Sequence, residues 1–73
     1  MEELLFSTQF QWEGQSYPIH IYRHTHAHTR CSHMATTTLA PGDMIITDGR
    51  SAEEAVLKQQ RVLPVAILSR ALL

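Results

Sequence analysis

Two stretches decide the fold: Leu4-Leu5-Phe6-Ser7-Thr8-Gln9-Phe10-Gln11-Trp12-Glu13-Gly14 and, just beyond, Tyr17-Pro18-Ile19-His20-Ile21-Tyr22-Arg23. Leu4, Phe6, Thr8, Phe10 and Trp12 share one side of an extended chain, and Leu5, Ser7, Gln9 and Gln11 share the other. A period of two with aromatic residues is the pattern of a half-buried strand. Glu13-Gly14 supplies a two-residue reversal, because glycine takes a positive φ without steric cost. The resulting hairpin pairs Phe10 with Tyr17, Thr8 with Ile19 and Phe6 with Ile21 on the buried face. On the other face it sets Gln11 opposite Ser16, Ser7 opposite His20, Leu5 opposite Tyr22 and Glu3 opposite His24. A slip of one residue would bury the polar set instead, so the alternation specifies the register. Pro18 cannot donate to a ladder and suits a non-bonded or edge position.

Further along, Tyr17 to Leu39 contains no glycine and stays strand-like. A single straight strand of that length would run about 75 Å at roughly 3.3 Å per residue, far beyond the usual strand. The chain must therefore break, and Cys31-Ser32-His33-Met34 is the expected place. Pro41-Gly42, inside Ala40-Pro41-Gly42-Asp43, suits a type II turn. That turn would set Leu39 against Met44 and Thr37 against Ile46, with a short last strand from Met44 to Thr47.

Ser51-Ala52-Glu53-Glu54 reads as a capping box, the serine hydroxyl capping and Glu54 reaching back, with both acids at the positive end of the helix. Pro64 removes a backbone hydrogen bond and crowds the Gln60 carbonyl, so the helix is expected to kink there or to end and restart. A strand over 62–68 is the alternative. The expected architecture is α+β: a meander of three or four antiparallel strands, then one C-terminal helix kinked near Pro64 and packed on one sheet face, in the order β-β-β-α. The string Gly49-Arg50-Ser51-Ala52-Glu53-Glu54-Ala55 is similar to the strand-to-helix junction of HicB-type antitoxin domains, which also run β-β-β-α. The histidine-rich strand and the apolar tail depart from that family, and no site residue is carried over from it.

Seventy-three residues leave room for one small domain. A monomer of this size buries only about 60% of its unfolded surface, so a metal, a disulfide or a partner commonly adds stability. One cysteine, Cys31, forms no internal disulfide, which leaves metal and partner. Six Lys+Arg against seven Asp+Glu give a net charge of −1, without the basic excess of a dedicated nucleic-acid binder. No apolar run reaches the length of a membrane span, and Met1-Glu2-Glu3-Leu4-Leu5-Phe6 lacks the features of a signal peptide, so the expected location is cytoplasmic.

Three candidate sites follow. His24-Thr25-His26-Ala27-His28 places alternate histidines on one strand face, where His24 and His26 can meet one metal. With Glu3 opposite His24, the set His24, His26 and Glu3 is the candidate site for zinc, nickel or copper. No cofactor is otherwise indicated, and ordinary exposed strand face is the competing explanation. Tyr22, Arg23, His28 and Arg30 form the second candidate, a surface for an acidic partner or single-stranded nucleic acid, with nucleic acid not favoured. The third is the apolar tail. At helical spacing Val65, Leu68 and Leu72 form one stripe and Leu63, Ile67 and Ala71 a second. A small sheet covers one stripe, so the expected function is a non-enzymatic module, a homo-oligomer or protein-binding unit, that self-associates through Leu63, Val65, Ile67, Leu68 and Leu72. Catalysis is not expected. Cys31 and His33 supply the residue types of a nucleophile and base, but residues two apart seldom hold that geometry and no orienting acid is near.

Overall fold

A computed structural model describes residues 2–24 and 32–72. Four strands, β1 (Glu2–Trp12), β2 (Gln15–His24), β3 (His33–Ala40) and β4 (Asp43–Gly49), are followed by one helix, α1 (Ala52–Ala71). The strands form one open antiparallel sheet in the order β1-β2-β3-β4, so the architecture is α+β in the order β-β-β-β-α. The helix packs on one face of the sheet, most extensively on β4 and β3 and less on β2.

The first hairpin forms as its alternation dictates. Phe10 pairs with Tyr17, Thr8 with Ile19, Phe6 with Ile21 and Ser7 with His20. Glu13 at φ 50 and Gly14 at φ 75 make the two-residue loop, and positive φ at both positions is the type I′ geometry that matches strand twist. Beyond Phe6 the expected register fails. A bulge at Leu5 sets Leu4 against Tyr22, Glu3 against Arg23 and Glu2 against His24. Glu3 therefore does not face His24, and Leu5 does not face Tyr22. Leu4 and Leu5 are both apolar, so the alternation that fixes the register elsewhere is silent here.

β2 ends at His24 and β3 begins at His33, with His24 N–H donating to Ser32 O at 2.8 Å. His33 and Met34 are thus regular strand and not the expected break; Cys31 lies outside the described residues. Four pairs join β2 to β3, from His20 with Thr36 to Arg23 with His33.

The second turn closes with Ala40 opposite Asp43 and Gly42 at φ 78, as a type II turn requires. A second bulge, at Leu39, then shifts the register: Thr38 faces Met44, Thr37 faces Ile45 and Thr36 faces Ile46. The expected pairs Leu39 with Met44 and Thr37 with Ile46 do not form. The shift turns Ile45 and Thr47 toward the helix and leaves Met44 and Ile46 about half exposed on the far face.

The core lies between α1 and the inner sheet face. Ile19, Ile21, Ala35, Ala55 and Leu63 are fully buried, with Phe10, Leu39, Ile45, Ala52, Val56 and Ile67 packed around them. Gln59 is buried among them, and its amide orientation is fixed by its partners. Gln59 Nε2 donates to Ile45 O at 3.0 Å and to Thr37 Oγ1 at 2.9 Å, while Oε1 accepts from Thr47 Oγ1 at 2.8 Å. No buried side-chain polar atom lacks a partner among the described residues. Gly49 sits beneath the first turn of α1, where a Cβ would stand 2.5 Å from Ala55 N.

Ser51 caps the helix, its hydroxyl accepting from Glu54 N–H at 3.1 Å. The Glu54 carboxylate reaches back one residue further than a capping box does, accepting from Arg50 N–H at 3.2 Å. Pro64 lies inside α1, which runs unbroken from Ala52 to Ala71. There is no restart at Pro64 and no strand over 62–68. The lost hydrogen bond falls on the half-buried flank of a helix already anchored by Gln59 and Leu63.

Candidate interaction surfaces

The sheet-facing stripe of α1 is Ala55, Gln59, Leu63 and Ala66, all buried. Of the residues expected to mediate self-association, Leu63 is therefore consumed by the core, and Ile67 is packed against it. Val65, Leu68 and Leu72 point the other way, 66%, 52% and 87% exposed. Leu57 and Val62 join them on the exposed side, 46% and 41% exposed. Leu57, Arg61, Val65, Leu68 and Leu72 follow one another at intervals of four and three residues, the spacing of a helix–helix seam. Leu57 and Val62 were missed in the sequence because the charged residues around them, Lys58 and Arg61, mask the periodicity.

The expected metal residues are distributed differently. Glu3 is ion-paired with Arg23, its neighbour across the ladder. His24 instead stands beside Glu2, with Nδ1 3.5 Å from the carboxylate. His26 lies outside the described residues, and among those described no group of three His, Cys, Asp or Glu side chains is placed to hold a metal ion.

Tyr22 and Arg23 were expected to share a binding surface, but successive strand residues face opposite sides of the sheet. Tyr22 pairs with Leu4 and Met34 on the face away from the helix, and Arg23 turns to Glu3. His28 and Arg30 lie outside the described residues. His20, on the same face as Tyr22, is engaged by Ser7 Oγ at 2.8 Å.

At the start of α1, Arg50, Glu54, Leu57, Lys58 and Arg61 line an open depression. Glu54 is its only acid and is already held by Arg50 N–H and by Lys58 Nζ at 3.4 Å. These contacts lower its pKa below the ordinary value, the backbone hydrogen bond contributing most. At the far end of α1, Arg70 makes a two-pronged contact with Asp43, Nε to Oδ2 at 2.6 Å and Nη2 to Oδ1 at 2.8 Å. That guanidinium, chiefly through its hydrogen bonds, holds the Asp43 carboxyl below its ordinary range. Both clusters pin the helix to the sheet or to itself.

Comparison with known proteins gives no match: no family model, no curated protein and no solved structure is significantly similar to this chain. No helix among the described residues is long and apolar enough to cross a membrane.

Proposed function

We propose that this chain is a small non-enzymatic interaction module that self-associates through the outward face of α1. The observation that carries this reading is the exposed stripe of Val65, Leu68 and Leu72, with Val62 beside it, on a helix whose opposite stripe is already buried. A helix apolar on two faces is normally covered on both, and contiguous apolar surface of this kind marks interaction sites.

A second copy of the same helix fits this stripe when packed antiparallel. With Val65 of one copy beside Leu68 of the other, Arg61 falls beside Leu72 of the other copy. The one cation in the seam then meets the carbonyl-rich, negative end of the neighbouring helix, a favourable pairing. A parallel arrangement would set Arg61 against Arg61.

Sedimentation of the full chain across micromolar concentrations tests the proposal. Reversible self-association that Val65→Glu or Leu68→Glu weakens by about tenfold or more, without change in circular dichroism, is the expected result. A wild-type chain that stays monomeric throughout, or a dimer indifferent to both substitutions, would overturn it.

A further inference from the structure

The two edges of the sheet are unlike. β4 carries Asp43 and Asp48 and has α1 packed beside it. β1 is eleven residues long, holds no lysine or proline, and carries no charge from Leu4 to Trp12. Its inner face is also thinly covered, because the helix lies over the other three strands: Phe6 is 45% exposed, and Phe10 and Trp12 stack with ring centroids 6.3 Å apart. Natural sheets usually blunt an edge of this kind with charge, proline or a covering element.

Ladder parity shows which groups the edge presents. In a two-residue hairpin the residues flanking the loop, here Trp12 and Gln15, exchange close hydrogen bonds, and the pattern then alternates. Trp12, Phe10, Thr8 and Phe6 therefore bond to β2, and the even-numbered residues of β2 bond toward β3. The His24 N–H bond to Ser32 O agrees with that assignment. Ser7, Gln9 and Gln11 consequently direct their backbone N–H and C=O groups away from the sheet. The bulge at Leu5 ends the regular stretch, so the pairing-competent segment is Phe6–Trp12, whose midpoint is Gln9.

We infer that β1 is a pairing edge for a second copy of this chain, joined antiparallel about a two-fold axis at Gln9. Gln9 then meets Gln9 of the second copy, and Ser7 meets its Gln11, so each outward backbone group of the segment finds a partner. On the inner face Phe6 comes opposite the second copy's Trp12, and Thr8 opposite its Phe10, both favourable cross-strand pairs. The bulge selects this register over its neighbour. The axis at Gln9 pairs the regular segment Phe6–Trp12 with itself, whereas an axis at Thr8 would set Gln11 and Trp12 against the bulged stretch at Leu4 and Leu5. The two-fold axis is normal to the sheet, so both helices lie on one side of a continuous sheet, with the aromatic residues of both β1 strands between them. This contact is independent of the helix seam.

The test uses the full chain carrying Val65→Glu, which removes the helix contact, and reads backbone amide exchange and sedimentation. Rising concentration should protect the amides of Ser7, Gln9 and Gln11, while those of Thr8 and Phe10 are protected at every concentration. Gln9→Lys and Gln9→Glu each oppose like charges at the axis and should weaken dimerisation by about tenfold or more. Mixing the two variants should restore it as a heterodimer. Amides at Ser7, Gln9 and Gln11 that exchange freely at every concentration would overturn the inference. Charge variants that dimerise as well alone as mixed would do so too.

Discussion

Gln59 and Thr47 are joined across the helix–sheet interface, the threonine hydroxyl donating to the buried glutamine oxygen at 2.8 Å. Their contact, together with the Gln59 bonds to Thr37 and Ile45, fixes how far along the sheet the helix sits. Apolar packing alone tolerates sliding, whereas a buried amide with three satisfied partners does not.

Gln59→Leu keeps most of the volume but strands the Thr37 hydroxyl and the Ile45 carbonyl and leaves the Thr47 hydroxyl only the Ala55 carbonyl at 3.2 Å, so it should cost roughly 2–4 kcal/mol. Adding Thr37→Val should recover at least about 1 kcal/mol of that loss, since the stranded hydroxyl is then gone. Urea unfolding of the single and double variants checks both signs. A double variant less stable than Gln59→Leu would show that the Thr37 hydroxyl holds the fold by other means.

Gly49→Ala drives a Cβ to 2.5 Å from the Ala55 backbone nitrogen, against atoms that belong to the capped first turn. The helix must lift or the strand must bend, at about 2–3 kcal/mol. Thermal unfolding is the measurement, and crosspeak shifts should centre on residues 47–56.

Glu13 occupies the left-handed region at φ 50, where a Cβ-bearing side chain is disfavoured and asparagine or glycine is not. Glu13→Asn should stabilise the chain by about 0.5–1 kcal/mol. An unchanged or lower midpoint in urea would contradict the turn geometry.

Asp43 and Glu54 both titrate below their ordinary values of 3.8 and 4.5 in the folded chain. A lowered folded pKa means the unfolded state binds the proton more readily. The stability these groups contribute is therefore present above the unfolded pKa and is lost as pH falls through the folded one. Unfolding should become easier on acidification below about pH 5. Carboxyl NMR titration should show Asp43 returning toward 3.8 in Arg70→Gln, while Glu54 is unmoved.

Much of the fold is legible in the residues, and the failures have specific causes. The first hairpin from Phe6 to Ile21 could be paired residue by residue because its alternation is unbroken. Both errors of register arise where alternation stops: at Leu4-Leu5, and at Met44-Ile45-Ile46, where three apolar residues in a row leave open which ones face the helix. The local chemistry of Pro64 argues for a break, but burial of Leu63 before it and Ala66 after it outweighs one missing hydrogen bond. Of the tail's two apolar stripes, the sequence shows that both exist. It does not show which one the sheet takes, because that depends on the angle at which Gly49 and Ser51 launch the helix. Nothing local in the sequence marks Gln59 as buried, because its partners lie on β3 and β4.

Pro18 has a consequence for how the molecule comes together. It lies opposite Gln9, so its nitrogen is turned toward β3, where it has no proton to donate. The β2–β3 ladder accordingly starts at His20 and holds four described pairs, against ten in the first hairpin and seven in the second. The sheet is therefore two locally formed hairpins joined by a short middle ladder. Local hairpins close with little loop entropy against them, and the helix, which packs on both β2 and β3, holds the central joint together. That joint has the fewest ladder pairs of the three. A hairpin released there, carrying Ile19 and Ile21 with it, could dock on the second half of another copy, making β2–β3 the seam along which this chain would exchange domains.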